Sequence, residues 1–332
     1  MMRLAAAAFC SLVAVCLHAE APPAADPAPQ AATLDTVLVT GEQPGPGLWK
    51  VTKGDHVLWI LGTQYPLPRK MTWRATEVEA AIAQSQEVIA DATAKVDIGF
   101  FRMLTLVPAV LGARKNPDHE TLAQILPPDL YARWSALKAK YIGRDRGVEN
   151  LRPMVAADKL YDEALDKSGL VRNGAIWDTV QHAAKKHRVH VTEPEVTIPL
   201  DDPKQAIQDF KSTTGDRDVA CLAATITRLE TDLEAMRQRA NAWAIGDIQA
   251  LQRLPYPDQR SACLAALESN ERLHAQIEAA KEQVVDAWLA AAEKALASNL
   301  STFAVLPMGE LLAADGRLER LRSRGYAVEA PE

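Results

Sequence analysis

Leu48-Trp49-Lys50-Val51, a turn at Lys53-Gly54-Asp55, then Leu58-Trp59-Ile60-Leu61-Gly62-Thr63-Gln64-Tyr65: this stretch decides the fold. Two apolar runs of strand character flank a polar, glycine-containing turn, the pattern of a hairpin. The second run stops at Gly62-Thr63, so Gln64 and Tyr65 stand just past the carboxyl end of a strand. In α/β sheets that end is where ligands bind.

Downstream, residues 72–86 put Val78, Ile82 and several alanines on one helical face. Glu87-Val88-Ile89-Ala90-Asp91 reads as a short buried strand ending in a carboxylate. A strand, a helix and a second strand in one sheet form a right-handed crossover, which brings both strand ends to one edge. Helical patterns then dominate. They cover residues 101–111, a start at His119-Glu120-Thr121-Leu122, 127–141 opening on Pro127-Pro128-Asp129, and 151–168 opening on Leu151-Arg152-Pro153-Met154. They continue at 176–186, 203–211, 219–244, 248–254, 258–267 and 272–297. Strand character returns at Val189-His190-Val191-Thr192-Glu193, at 302–306 and at Tyr326-Ala327-Val328, with a helix inside 311–324. The expected fold is therefore a helix-rich α/β protein. A small mixed sheet is built from both chain ends and a middle strand, with a large helical insertion and no solenoid repeat.

The chain opens like an export signal. Arg3 precedes an apolar run at 4–17 that is too short for a permanent span, and Ala19 or Ala21 fits a cleavage site. Neither Cys10 after Phe9 nor Cys16 after Val15 suits lipidation. The expected division is a signal peptide at 1–21, a Pro/Ala-rich linker at 22–47 that cannot fold alone, and a domain at 48–330. No later segment reads as transmembrane, so a periplasmic or extracellular location is expected. A net charge of −6 without a basic stripe argues against a nucleic-acid partner. After signal removal Cys221 and Cys263 remain, and an even pair in an exported chain predicts one disulfide between helical segments.

The Gly62-Thr63-Gln64-Tyr65 turn, Asp91, Arg152-Pro153, the strand from His190 to Glu193, Trp243-Ala244-Ile245-Gly246-Asp247, and Gly316…Leu321…Gly325-Tyr326-Ala327-Val328 occur in the order of the TraB/GumN/TIKI family, and residues 48–331 resemble it. The resemblance implies a metal-dependent peptidase or hydrolase fold, with one Gly-x-x-His motif from each end of the chain. Here Tyr65 stands at the first histidine position. Pro307-Met308-Gly309-Glu310-Leu311 resembles the second motif, with Pro307 for its leading glycine and Glu310 for its histidine. Asp91 matches the family's acidic residue, and Glu193 keeps an acidic end on the middle strand. Arg272-Leu273 resembles an Arg-Asn pair with the asparagine lost. The implied cleft is Gly62, Thr63, Gln64, Tyr65, Asp91, Glu193, Arg272 and Glu310.

Asp91, Glu193 and Glu310 would offer oxygen ligands suited to Mg, Ca or Mn rather than Zn. A phenol ionises near pH 10, so Tyr65 is a poor ligand at neutral pH. The bland arrangement has Tyr65 packed over the cleft and Glu310 paired with Arg272. The leading expectation is an exported binding or accessory protein of the cell envelope with a degenerate metallohydrolase site and no cofactor. Its partner would be an unknown peptide, protein or envelope ligand. The rivals are a divergent hydrolase using the three carboxylates and a structural envelope factor with a filled cleft. Other chemistries find little support. His182 and His187 are five apart and do not share a helix face. Neither a Gly-x-Ser-x-Gly elbow nor a phosphate-binding loop occurs. The seven tryptophans are read as core, with Trp49 and Trp59 as candidates for the cleft wall.

Overall fold

The opening stretch folds as a hairpin. Strands β1 (Leu48–Lys53) and β2 (His56–Thr63) pair antiparallel from Lys53↔His56 to Leu48↔Leu61. Gly54 turns the chain at φ +63°, a conformation glycine adopts without steric cost. The computed structural model describes residues 45–331 apart from 98–99, 173–174, 201, 214, 255–258 and 269. The expected signal peptide and nearly all of the linker lie outside the described residues.

The remaining strands, in chain order, are β3 (Leu67–Pro68), β4 (Glu87–Ile89), β5 (Thr93–Asp97), β6 (Leu170–Val171), β7 (His190–Thr192), β8 (Glu195–Pro199), β9 (Ser301–Pro307) and β10 (Ala327–Glu329). Six of the strands form one mixed sheet in the order β10-β1-β2-β9-β4-β7. β9 runs parallel to both β2 and β4, and β7 runs parallel to β4. The two chain ends and the middle strand thus build the sheet as expected. The crossover through the helix Thr76–Gln84 skips one position, because β9 inserts between β2 and β4. β9 can take that central place because Thr302 to Leu306 is buried on both faces, the pattern of an interior parallel strand.

Helices pack on this sheet through its apolar faces. Val78 and Ile82 of Thr76–Gln84 are buried, as the spacing predicted. The long helix Glu271–Ser298 contributes Trp288, Leu289, Ala292, Ala295 and Leu296. A second core lies among the middle helices, with Leu122, Trp134, Leu160, Leu222, Ile226 and Met236 fully buried. Cys221 and Cys263 form the expected disulfide beside it, with Cα atoms 4.4 Å apart. Among the described residues no helix is long and apolar enough to cross a membrane.

Two details depart from the sequence reading. Residues 219–244 are not one helix but Gly215–Thr231 and Leu233–Ala244. The break falls at Asp232, whose buried carboxylate accepts two hydrogen bonds from Arg239 at 3.1 and 2.6 Å. Patterning also gave no strand at 67–68, 93–97, 170–171 or 195–199. β5 is exposed along its whole length and so carries no buried alternation to detect.

Candidate functional site

Because β2, β9, β4 and β7 run parallel, their carboxyl ends open on one edge of the sheet. A cleft of about 940 Å³ lies there. Thr63, Gln64 and Tyr65 reach it from the end of β2, Asp91 from the end of β4, and Glu193 from the end of β7. Five expected site residues, separated by up to 130 positions in sequence (193 − 63), are therefore brought together. Pro307, Met308 and Gly309 close the floor where β9 turns into the helix Met308–Leu312.

The strand ends are fixed by close contacts. The register sets Gly62 beside Leu306, and the Thr63 hydroxyl donates to the Leu306 carbonyl at 3.3 Å. The Trp243 indole N–H donates to the Gly62 carbonyl at 2.6 Å. A Cβ on Gly62 would stand 2.4 Å from Met308 Cε and 2.9 Å from Leu311 Cδ1. Gly62 is thus a packing residue that lets the short helix sit against the strand end. The Trp243-to-Asp247 step is structural too. Gly246, at φ +73°, follows one helix, and the Asp247 carboxylate caps Ile248–Arg253 by accepting from the Ala250 N–H at 2.8 Å.

Arg317, which the sequence reading did not select, ties the cleft residue Asp91 to Glu310 from behind the cleft lining. Its Nη1 donates to Asp91 Oδ1, and its Nε lies 3.7 Å from Glu310 Oε2. The guanidinium is 5.8 Å from the centre of the Trp288 ring, and the residue is only 5% exposed. Gly316 makes this possible. A Cβ there would come within 2.0 Å of the Glu310 carbonyl oxygen, so the chain folds back on Glu310 just before Arg317. The usable signal was the Gly316-Arg317 step opening a helix soon after the second motif.

Arg272 requires a correction. It lies in the first turn of Glu271–Ser298, half exposed, with Nε 3.7 Å from Asp209 Oδ2, and it is not among the residues lining the cleft. Glu310 accordingly pairs with Arg317 rather than Arg272, and neither Glu310 nor Gly62, both expected in the cleft, is among the residues lining it. The tryptophan expectation also shifts. Trp49 is buried in the sheet core and Trp59 packs beside it, whereas Trp177 lines the cleft. Arg172, Thr93 and Glu195 line it as well, and nothing in their local sequence marked them.

The donor set does not suit a metal. Among the described residues, the carboxylates of Asp91, Glu193 and Glu310 do not gather within 4.8 Å of one another. Two of the three already face a fixed guanidinium. Among the described residues, the group of potential ligands that does gather is Glu268, His274 and Glu278, at the surface. There Lys281 Nζ already lies 3.0 Å from Glu268 and 2.5 Å from Glu278.

A family model described as the TraB/PrgY/gumN family matches residues 47–330. No curated protein and no solved structure matches significantly.

Proposed function

The chain belongs to the TraB/PrgY/gumN family, and from that premise we propose that it is a non-catalytic member, exported to the cell envelope, whose cleft binds a ligand without metal chemistry. The observation that carries this reading is Arg317 lying between Asp91 and Glu310. A guanidinium neutralises two carboxylates much as a cation would. It offers no open coordination position, and it stays protonated in proteins, so it cannot activate water as a bound metal does. Tyr65 and Glu310 in place of the two motif histidines point the same way. An open volume of about 940 Å³ supports a ligand-binding role over a purely structural one.

The test is elemental analysis of the purified mature protein, with calorimetric titration of Mn, Mg, Ca and Zn. Wild type is expected to carry no stoichiometric metal. The combined variant Tyr65→His, Glu310→His, Arg317→Met restores imidazoles and removes the internal cation, and it is expected to gain divalent-metal binding. Stoichiometric metal in wild type, lost in Asp91→Ala, would sink the proposal in favour of a carboxylate-ligated hydrolase.

A further inference from the structure

We infer that the cleft takes an extended polypeptide segment bearing a basic side chain, which pairs as an added strand along the free edge of β5. This rests on the ligand-binding reading above and names the ligand class. β5 follows β4 after Ala90, Asp91 and Ala92, and β8 follows β7 after Glu193 and Pro194, so the parallel pairing of β4 with β7 continues upward as β5 with β8. In the main sheet β4 has a second neighbour, β9, on its other side. β9 does not continue, because it ends at Pro307 and the chain turns into Met308–Leu312. Among the described residues, the side of β5 facing away from β8 therefore carries no strand.

The ladder says which groups are available there. The Thr93 N–H donates to the Pro194 carbonyl at 3.0 Å, so Thr93 turns its backbone polar groups toward β8. Strand geometry alternates, so Lys95 and Asp97 do the same, while the N–H and C=O groups of Ala94 and Val96 face the other side. All five residues of β5 are exposed, and Val96 is 50% exposed despite its apolar side chain. An edge with no strand partner and an exposed β-branched residue is a template for another strand. A two-stranded ribbon is also only marginally stable by itself and gains from a third strand.

The charge around this edge selects the partner. Thr93 and Glu195, at the base of the ribbon, line the cleft. Glu193 makes no ion pair among the described residues, and Glu195 has Lys95 only at 3.8 Å. The cationic side chains nearby are committed, Arg317 to Asp91 and Glu310, and Arg172 to Asp158 and Asp162. The uncompensated charge at the mouth is thus negative. Tyr65 and Trp177 offer aromatic surface in the same cleft, which suits the stem and charge of a lysine or arginine.

The test uses the full mature protein and blocked heptapeptides of alternating threonine and valine with a central lysine or a central glutamate. Calorimetry should show the lysine peptide binding and the glutamate peptide at least about tenfold weaker, as expected for like charges set together. Val96→Pro deletes an outward N–H without touching the β8 ladder, and it should weaken binding by about tenfold or more. Methylating alternate amides of the lysine peptide should do the same while leaving the protein unaltered. Glu193→Gln should erase the preference for lysine. The inference is overturned if neither peptide binds, if both bind equally, or if Val96→Pro and amide methylation leave affinity unchanged. It is equally overturned if light scattering shows that a second copy of the chain occupies the edge in a dimer abolished by Val96→Pro. None of these readouts involves metal, so failure here is separable from failure of the metal-free reading.

Discussion

The protein has two buried cores, and they treat a buried arginine differently. In the helical core all three guanidinium nitrogens of Arg152 donate hydrogen bonds. Its Nε donates to Asp218 at 2.7 Å, Nη1 to the Phe210 carbonyl at 2.6 Å and Nη2 to the Thr213 hydroxyl at 2.5 Å, with the plane 4.5 Å from the Phe210 ring. Asp218 is 1% exposed, and burial pushes its carboxyl up while Arg152 pulls it back. In the sheet layer Arg317 is as deeply buried, but its partners Asp91 and Glu310 are more than a third exposed, and its Nε makes no hydrogen bond. The first arginine joins the start of Pro153–Lys167 to Phe210 and Asp218 on two neighbouring helices. The second holds charge in place at the wall of an open cleft. The two arginines differ not in their own burial but in the exposure of their partners.

That contrast can be broken by mutation. Arg152→Ala strands a buried carboxylate and should destabilise by about 3–5 kcal/mol in urea unfolding, with little effect on metal or peptide titrations of the folded fraction. If it costs under about 1 kcal/mol, comparable to a surface pair, the helical core is not held as described. The paired change Cys221→Ser, Cys263→Ser opens a loop of sequence separation 42 and should cost about 2–4 kcal/mol. Peptide mapping without reductant should recover the Cys221–Cys263 fragment from the purified protein, and two alkylatable thiols there would contradict it.

Smaller effects are expected on the cleft side. Gly62→Ala pushes a methyl against Met308 and Leu311 and should cost about 1–3 kcal/mol, near the low end because the side-chain tips can yield. It should also move Met308 and so change cleft binding, which Arg152→Ala should not. Arg317→Met should cost least, about 1–2 kcal/mol, because Asp91 and Glu310 can turn to water once released. Its larger consequence is functional, a gain in affinity for divalent cations seen by calorimetry. A stability loss from Arg317→Met as large as that from Arg152→Ala would erase the distinction between the two arginines.

Much of this fold was legible in the chain. The hairpin at Gly54, the buried face through Val78 and Ile82, the helix 203–211 and the strand at 302–306 all follow from patterns a few residues long. The cleft residues Thr63, Gln64, Tyr65, Asp91 and Glu193 were legible for a related reason, since each sits where a recognisable strand stops. Arg272 misled because its resemblance to the family's Arg-Asn pair gave no direction for its side chain.

The sequence by itself determined the hairpin, most of the helices, the strands at 87–89, 190–192 and 302–306 and the disulfide partners, because periodicity, turn residues and cysteine count are local properties, while the family resemblance supplied the pairing of the chain ends. Only the tertiary structure decided that β9 separates β2 from β4 and that β5 and β8 form an exposed ribbon above the cleft. It also decided that Arg317, and not Arg272, faces Asp91 and Glu310. Those outcomes depend on which strand edges are left open and on how closely Gly316 approaches Glu310. The strand order and the Arg317–Asp91 pair are set by packing between segments more than two hundred residues apart, which no local pattern encodes.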